Sequence, residues 1–340
     1  MAITLKDVAA LAGVSTSTVS RTCNDHPSIS EETKEKVRLA MAQLGYEPNF
    51  TSTAASTAYN KRTIGIILPP SKKEAYENAF YLEAIRGISS FCNMKQYTNT
   101  IVTGNSEEEI LEAIKSMVKS GHVDTFIILY SHLNDSVTNY LYDEGLLYVV
   151  IGKANQFANQ TIYVDNDNVL AGQEATEYLI KRGHKKIAYM GKDFNLTFSA
   201  ERKSGYQLAL LSNNLELKPE YCVELPTHNK THFETIRTVL NQPDRPTAVV
   251  VSDDIMAFTL KHVCMELGLS IPDDLSIISF NNSMIARLSH PQLTSVDINS
   301  FQLGIEAASQ MINHIENPNL MATKIIVPHQ IIERDSCKYI

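Results

Sequence analysis

The chain has 340 residues, 44% of them hydrophobic, with no tryptophan, five cysteines and a net charge of −8. That length predicts two or three domains with sizeable cores. No run of 18 uncharged apolar residues occurs, Lys6 and Asp7 break up the N-terminus, and the odd cysteine count lacks a C-x-x-C, so the pattern argues against a membrane span, a signal peptide, a disulfide frame or a zinc site and predicts a cytoplasmic protein with reduced thiols.

Leu5, Val8, Ala9 and Ala12 fall at i, i+3, i+4 and i+7, the stripe of a short amphipathic helix. Gly13-Val14 then predicts a tight corner, because glycine accepts the left-handed backbone without a Cβ clash. Ser15 is placed to cap a second helix from Thr16 to about Asn24, in which Val19 alone faces inward. The rest of that helix is outward: Thr16, Ser17, Ser20, Arg21 and Asn24, short donors and acceptors plus one guanidinium. Such a helix-turn-helix face suits base edges in a major groove. A third helix follows, capped by Ser30 with Glu31 and Glu32 on its positive end, its buried stripe Val37, Ala40, Met41 and Leu44, and Gly45 as its stop.

On this reading Thr16, Ser17 and Arg21 touch bases, with Arg21 the guanine reader, while Thr4, Ser15, Ser20, Asn24, Ser30 and Thr33 hold phosphates. Charge is distributed accordingly. Residues 1–62 carry seven Lys/Arg and six Asp/Glu, a net +1, which leaves −9 on the remainder. The body repels DNA while the headpiece approaches it, so useful affinity calls for two headpieces, a homodimer on a palindromic operator. No a/d heptad run extends the chain toward tetramers.

Residues 48–62 are small and polar and form a linker. From Ile64 onward β-branched runs alternate with helical stretches. The runs Ile64–Leu68, Ile101–Val102, Phe126–Tyr130, Leu147–Ile151, Ile162–Val164, Ile187–Met190, Ala248–Val251 and Ser276–Phe280 predict buried parallel strands. Between them Glu107–Lys119, Gln173–Lys181, Ser204–Leu211 and Ile255–Leu267 predict helices. This rhythm implies two doubly wound parallel-sheet subdomains.

Ligands in such folds bind beyond the carboxyl ends of strands, which draws attention to Asp165, Asn166, Asp253, Asp254, Asn281 and Asn282, with Arg202 on a helix start after Ser199 and Lys153 behind the Leu147–Ile151 run. Carboxylates, amides and a guanidinium together can bind several sugar hydroxyls. Asp165 and Asp253 fit helix N-caps equally well. Without tryptophan, a face-on sugar contact falls to Phe80 and Tyr81, unless these pack in a core. His228 and His232 are four apart but have no third ligand, and Asp165-Asn-Asp-Asn168 lacks the glycine and terminal Glu of a calcium loop. Neither a metal nor a cofactor is expected. No G-x-S-x-G, G-x-G-x-x-G or Walker loop occurs, which leaves hydrolase, dehydrogenase and NTPase readings without support.

Leu5-x-Asp-Val-Ala-x-x-Ala-Gly-Val-Ser-x-x-Thr-Val-Ser-Arg21, followed by Leu44-Gly-Tyr-x-Pro-Asn49, resembles the headpiece of the lactose/galactose repressor family. Val164-Asp-Asn166, Gly183-His184, Arg202-x-x-Gly-Tyr206, Ile271-Pro-Asp-Asp-Leu-Ser276 and Leu293-Thr-Ser resemble its effector core, and the likeness spans the chain. Ser279-Phe-Asn-Asn-Ser283 and Ile332-Glu-Arg-Asp-Ser336 are most similar to maltose-operon repressors of Gram-positive bacteria.

The resemblance implies an all-α helix-turn-helix headpiece (1–47), a hinge (48–62), and an α/β periplasmic-binding-protein-like core. The core's N-subdomain would take 63–162 and 292–322, its C-subdomain 163–291 and 323–340. It adds Leu5, Tyr46 and Asn49 to the DNA contacts and makes Arg202 the main sugar contact, with Asp253 and Asn281 lining the cleft. A hinge leucine that wedges into the minor groove of the operator is Ala55 here, a poor wedge, and the family's Ala and Arg are Ser52 and Thr53. The implied function is a nucleoid-associated transcriptional repressor, not an enzyme, relieved by a maltose-like sugar between the subdomains. Galactose, sucrose or ribose effectors, or a purine-type co-repressor, are the alternatives.

Overall fold

Three helices form the headpiece: α1 (Leu5–Ala12), α2 (Thr16–Cys23) and α3 (Glu31–Leu44). Leu5, Val8, Ala9, Val19, Val37 and Ala40 form its apolar core, with Ala12, Met41, Leu44 and Tyr46 packed at the margin. Gly13 and Gly45 both take the left-handed backbone that stops the preceding helix. Ser15 Oγ accepts from Thr18 N at 3.1 Å, and Ser30 Oγ from Thr33 N at 3.3 Å, so both expected caps form. Val19 is not the only buried residue of α2. Thr22 is buried too, because its hydroxyl donates to the Thr18 carbonyl at 2.9 Å and so reaches the interior already satisfied.

The structure, a computed structural model, describes residues 4–23, 29–46, 62–71, 77–225 and 232–340. Asn24, Asn49, Ser52, Thr53, Ala55 and His228, and the linker 48–62 apart from Arg62, lie outside the described residues.

Contacts divide the chain into two units, the first Met1–Ala75, Ile85–Tyr163 and Gly304–Lys324, the second Tyr76–Ala84, Val164–Leu303 and Ile325–Ile340. The first sheet contains β1 (Thr63–Ile67), β2 (Thr98–Val102), β3 (Thr125–Ile128), β4 (Leu147–Ile151), β5 (Ile162–Asp165) and β11 (Lys324–Ile326), in the order β11-β5-β4-β3-β1-β2. Helices α4 (Ala79–Met94), α5 (Glu107–Lys119) and α6 (Ser136–Asp143) connect its first four strands. The second sheet holds β6 (Ile187–Gly191), β7 (Cys222–Glu224), β8 (Ala248–Val251), β9 (Ser276–Phe280), β10 (Thr294–Asp297) and β12 (Gln330–Ile332), in the order β12-β10-β9-β8-β6-β7. Its helices are α7 (Asn168–Ile180), α8 (Thr197–Ser212), α9 (His232–Leu240), α10 (Asp254–Glu266) and α11 (Met284–Leu288), and α12 (Ser300–Glu316) precedes β11.

Both sheets wind outward from an inner strand, β1 in one and β6 in the other, whose neighbours on either side pair with it in parallel. Such an order has its topological switch between β1 and β3 and between β6 and β8, where the carboxyl ends open a crevice. Every residue of β6, β8 and β9 is buried, as strands covered on both faces require.

Two spans differ from the expected division: Tyr76–Ala84, with Phe80 and Tyr81, falls in the second unit and not with 63–162, and the later return to the first unit is delayed. The resemblance has the N-subdomain resume at residue 292, yet β10 pairs in parallel with β9, Thr294 opposite Ile278 through Val296 opposite Phe280. The return comes only with α12, because the buried β-branched run of β10 is needed beside β9. Among the described residues no helix is long and apolar enough to cross a membrane.

Candidate nucleic-acid interface and ligand site

The outward face of α2 is polar, as its sequence requires. Ser17 is exposed, and Thr16, Ser20 and Arg21 are half-buried. Burial lowers the Arg21 pKa from its ordinary value, but a guanidinium stays charged at any physiological pH. Part of this face is covered. A Cβ added to Gly145, at the corner between α6 and β4, would stand 3.1 Å from Ser20 Cβ and 3.3 Å from the Thr16 carbonyl oxygen. Lys6 forms an ion pair with Asp143 beside it.

Four of the expected phosphate contacts, Thr4, Ser15, Ser30 and Thr33, are engaged within the headpiece. Thr4 N and Oγ1 both donate to Asp7 Oδ2 at 2.8 Å. Ser15 Oγ lies 2.7 Å from Ser17 Oγ, and Ser30 Oγ 2.9 Å from Thr33 Oγ1. The Leu5 side chain belongs to the core, so only its backbone N–H at the first turn of α1 is available to a phosphate. Tyr46 packs against the same core, and burial pushes its phenol pKa up.

In the second unit the strand ends gather a buried polar cluster. Arg202, 4% exposed, lies in the second turn of α8 and not at its start, since α8 begins at Thr197. Its Nε donates to Asn168 Oδ1 at 2.9 Å and its Nη1 to the Ser252 carbonyl at 2.9 Å. The guanidinium lies 4.3 Å from the Phe280 ring centroid and 5.1 Å from that of Phe198. Asn168 Nδ2 in turn donates to Asp165 Oδ1 at 3.1 Å. Two glycines allow this. A Cβ on Gly172 would meet the Arg202 carbonyl at 2.2 Å, and one on Gly205 the Val169 carbonyl at 2.0 Å, so α7 and α8 touch backbone to backbone.

Asp165 is not a helix cap. That role on α7 belongs to Asp167, whose Oδ1 accepts from Leu170 N at 2.9 Å. Asp253 does cap α10, accepting from Met256 N at 2.7 Å, and its other oxygen pairs with Lys192 Nζ at 3.0 Å. Lys192 follows β6 and Asp253 follows β8, which places this buried pair at the switch point. Asp254 is consumed by structure: it accepts from Ser279, from Ser295 Oγ at 2.9 Å and from Ser283 N at 2.6 Å. Asn281 stands partly exposed after β9 with φ +94°, a left-handed backbone that asparagine tolerates.

Lys153 is exposed after β4 in the first unit, where its carbonyl accepts from Ser131. Tyr130, Ser131, His132, Asn155 and Gln156 line a shallow pocket there, at the carboxyl ends of β3 and β4. Phe80 is half-buried against the apolar cluster containing Tyr189, Tyr206 and Phe280, so its ring serves core packing, and Tyr81 meets it edge-on at 5.3 Å. Sequence reasoning missed Asn168, Lys192 and Ser252. The available signal was a run of four carboxyl and amide residues, Asp165 to Asn168, directly behind a predicted strand.

Burial raises the Asp165 pKa to about 6, with Glu201 adding to the shift and Arg202 opposing it. Between about pH 4 and 6 the folded protein therefore holds a proton at Asp165 that the unfolded chain has released. The resulting stability is full below about pH 4 and is lost as pH rises through 6. Comparing melting temperatures of wild type and Asp165→Asn from pH 4 to 7 should show the wild type losing ground across that window; parallel profiles would refute it.

A helix-turn-helix headpiece followed by two switch-point α/β units with a buried polar cluster defines a DNA-binding regulator that answers to a small molecule. Residues 4–49 match the family of bacterial regulatory proteins described as the lacI family, and residues 176–337 match a periplasmic binding protein-like domain. The chain is 34% identical to the HTH-type transcriptional regulator MalR of Staphylococcus xylosus, covering 98% of both chains. It is 32% identical to MalR of Streptococcus pneumoniae, covering 98% of this chain and 100% of that one. Among solved structures, the transcriptional regulator CelR in complex with cellobiose superposes with a TM-score of 0.77 at 26% identity, over 98% of this chain and 100% of that one. The chain belongs to the LacI family of transcriptional regulators, and its relatives are regulators, not enzymes.

Proposed function

We propose that the protein represses a sugar-utilisation operon and that a maltose-type sugar relieves the repression. The observation that carries this is the Arg202–Asn168–Asp165 cluster at the carboxyl ends of strands, where a guanidinium with free donors sits beside a carboxylate and an aromatic ring. That combination recognises vicinal hydroxyls. The names of the MalR relatives favour maltose, and the cellobiose bound by CelR is likewise a glucose disaccharide. Calorimetric titration with maltose, maltotriose, galactose, sucrose and ribose tests the reading. Tight binding of maltose or maltotriose, with loss of operator affinity on their addition, is the expected result. Binding of another sugar alone would overturn the maltose assignment.

The protein acts in the cytoplasm on nucleoid DNA as a homodimer, each protomer supplying one headpiece to a half-site. Exposed Ile255 and Phe258 on α10, with Met284 and Leu288 on α11, offer an apolar face for self-association. Leu288→Glu should turn the dimer into a monomer in sedimentation experiments at micromolar concentration, and an unchanged dimer would exclude this face.

Operator recognition requires α2 to leave the Gly145 corner and enter a major groove. Arg21→Ala should then cost about 1–3 kcal/mol of discrimination between operator and random DNA. A variant that still separated the two as well as wild type would remove Arg21 from base reading.

A further inference from the structure

Asn168 is fully enclosed, 1% exposed, and both ends of its amide are engaged by groups of opposite character. Its oxygen accepts from Arg202 Nε at 2.9 Å; its nitrogen donates to Asp165 Oδ1 at 3.1 Å and to the Asn166 carbonyl at 3.4 Å. A guanidinium only donates and a carboxylate only accepts, so the amide has one permitted orientation. Nε and one Nη1 hydrogen of Arg202 are thereby spent on Asn168 and Ser252, which fixes the plane of the guanidinium against Phe280. Of its five donors, three are left to a ligand.

We propose that Asn168 is the positioning residue of the effector site, joining Asp165 and Arg202 into a single unit so that the charge state of one sets the hydrogen bonding of the other. The proposal rests on the sugar-binding reading above for its ligand, but not for its geometry. Asn168 touches no sugar in this scheme; it acts through its two partners. The other charged or titratable groups around them are Glu201 beside Asp165, and Tyr189, Asp253 and Asp254 around Arg202.

Two measurements on the full-length chain test this. In the sugar-free wild type, the Arg202 Nε–H and the Asn168 side-chain amide resonances should follow the Asp165 carboxyl titration with a common midpoint. An Arg202 Nε–H signal indifferent to that titration would overturn the proposal. Asn168→Asp keeps the acceptor toward Arg202 and the size of the side chain, but loses the donor toward Asp165 and sets two carboxylates together. It should raise the Asp165 midpoint and weaken maltose binding at pH 7 by about tenfold or more. Maltose affinity and an Asp165 midpoint equal to wild type would refute it. Should the wild type bind none of the sugars, the functional reading falls, and the sugar-free resonances still decide the role of Asn168.

Discussion

Arg202→Met is expected to weaken sugar binding by about two orders of magnitude, corresponding to about 3 kcal/mol. Methionine fills the space against Phe280 and Phe198 but supplies no donor. The loss has two parts. The sugar forfeits charge-assisted hydrogen bonds from a guanidinium that is 4% exposed, and so weakly screened by water. The Asn168 oxygen and the Ser252 carbonyl also lose their partner, and Asn168 is then free to turn its amide. Operator binding resides in the headpiece, so the variant should hold the operator and fail to release it on addition of sugar. Calorimetry for the sugar and fluorescence anisotropy for the operator measure the two halves separately. Wild-type sugar affinity would show that Arg202 is only a brace between α7 and α8.

Gly205→Ala should destabilise the protein by about 2–3 kcal/mol, although alanine is the better helix former by about 1 kcal/mol. The added Cβ would lie 2.0 Å from the Val169 carbonyl oxygen and 2.6 Å from Gln173 N. Both are backbone atoms of α7, so no side-chain rotation relieves the clash and the two helices must separate. Separation moves Asn168 away from Arg202, so sugar affinity should fall along with the urea midpoint. A midpoint equal to or above that of wild type would mean that the helices part at little cost.

The headpiece was legible because its determinants are local. Leu5, Val8 and Ala9 reach the core at helical spacing, and Ser15 and Ser30 cap the turns that follow them. Glu107–Lys119 and Ala248–Val251 were equally plain, one from its amphipathic stripe and the other from a β-branched run. The first turns of α7 and α8 were missed. There glycine, small residues and buried polar groups replace the amphipathic contrast, because these helices pack against each other as well as against the sheet. The strands β7, β11 and β12 have three residues each, too few for a periodic signal. Of the candidate site, Arg202 was picked out as a guanidinium on a helix start after Ser199, and the family resemblance added its sugar-binding role. Its partners Asn168 and Ser252 stand 34 and 50 residues away, and Lys192 lies far in sequence from Asp253. Such pairings arise from sheet order, which no local pattern encodes.

The late positions of the edge strands set a timetable for synthesis. β11 completes the first sheet only after Lys324, and β10 and β12 complete the second only after Thr294 and Gln330. The headpiece closes on contacts among residues 5–46 and is whole once it emerges. At about 5–20 residues per second, the ribosome spends roughly fifteen seconds to a minute on the remainder. For that interval the nascent chain carries a completed helix-turn-helix headpiece ahead of two unfinished sheets. Meanwhile β5 and β9 wait with open edges, exposed to pairing with other chains.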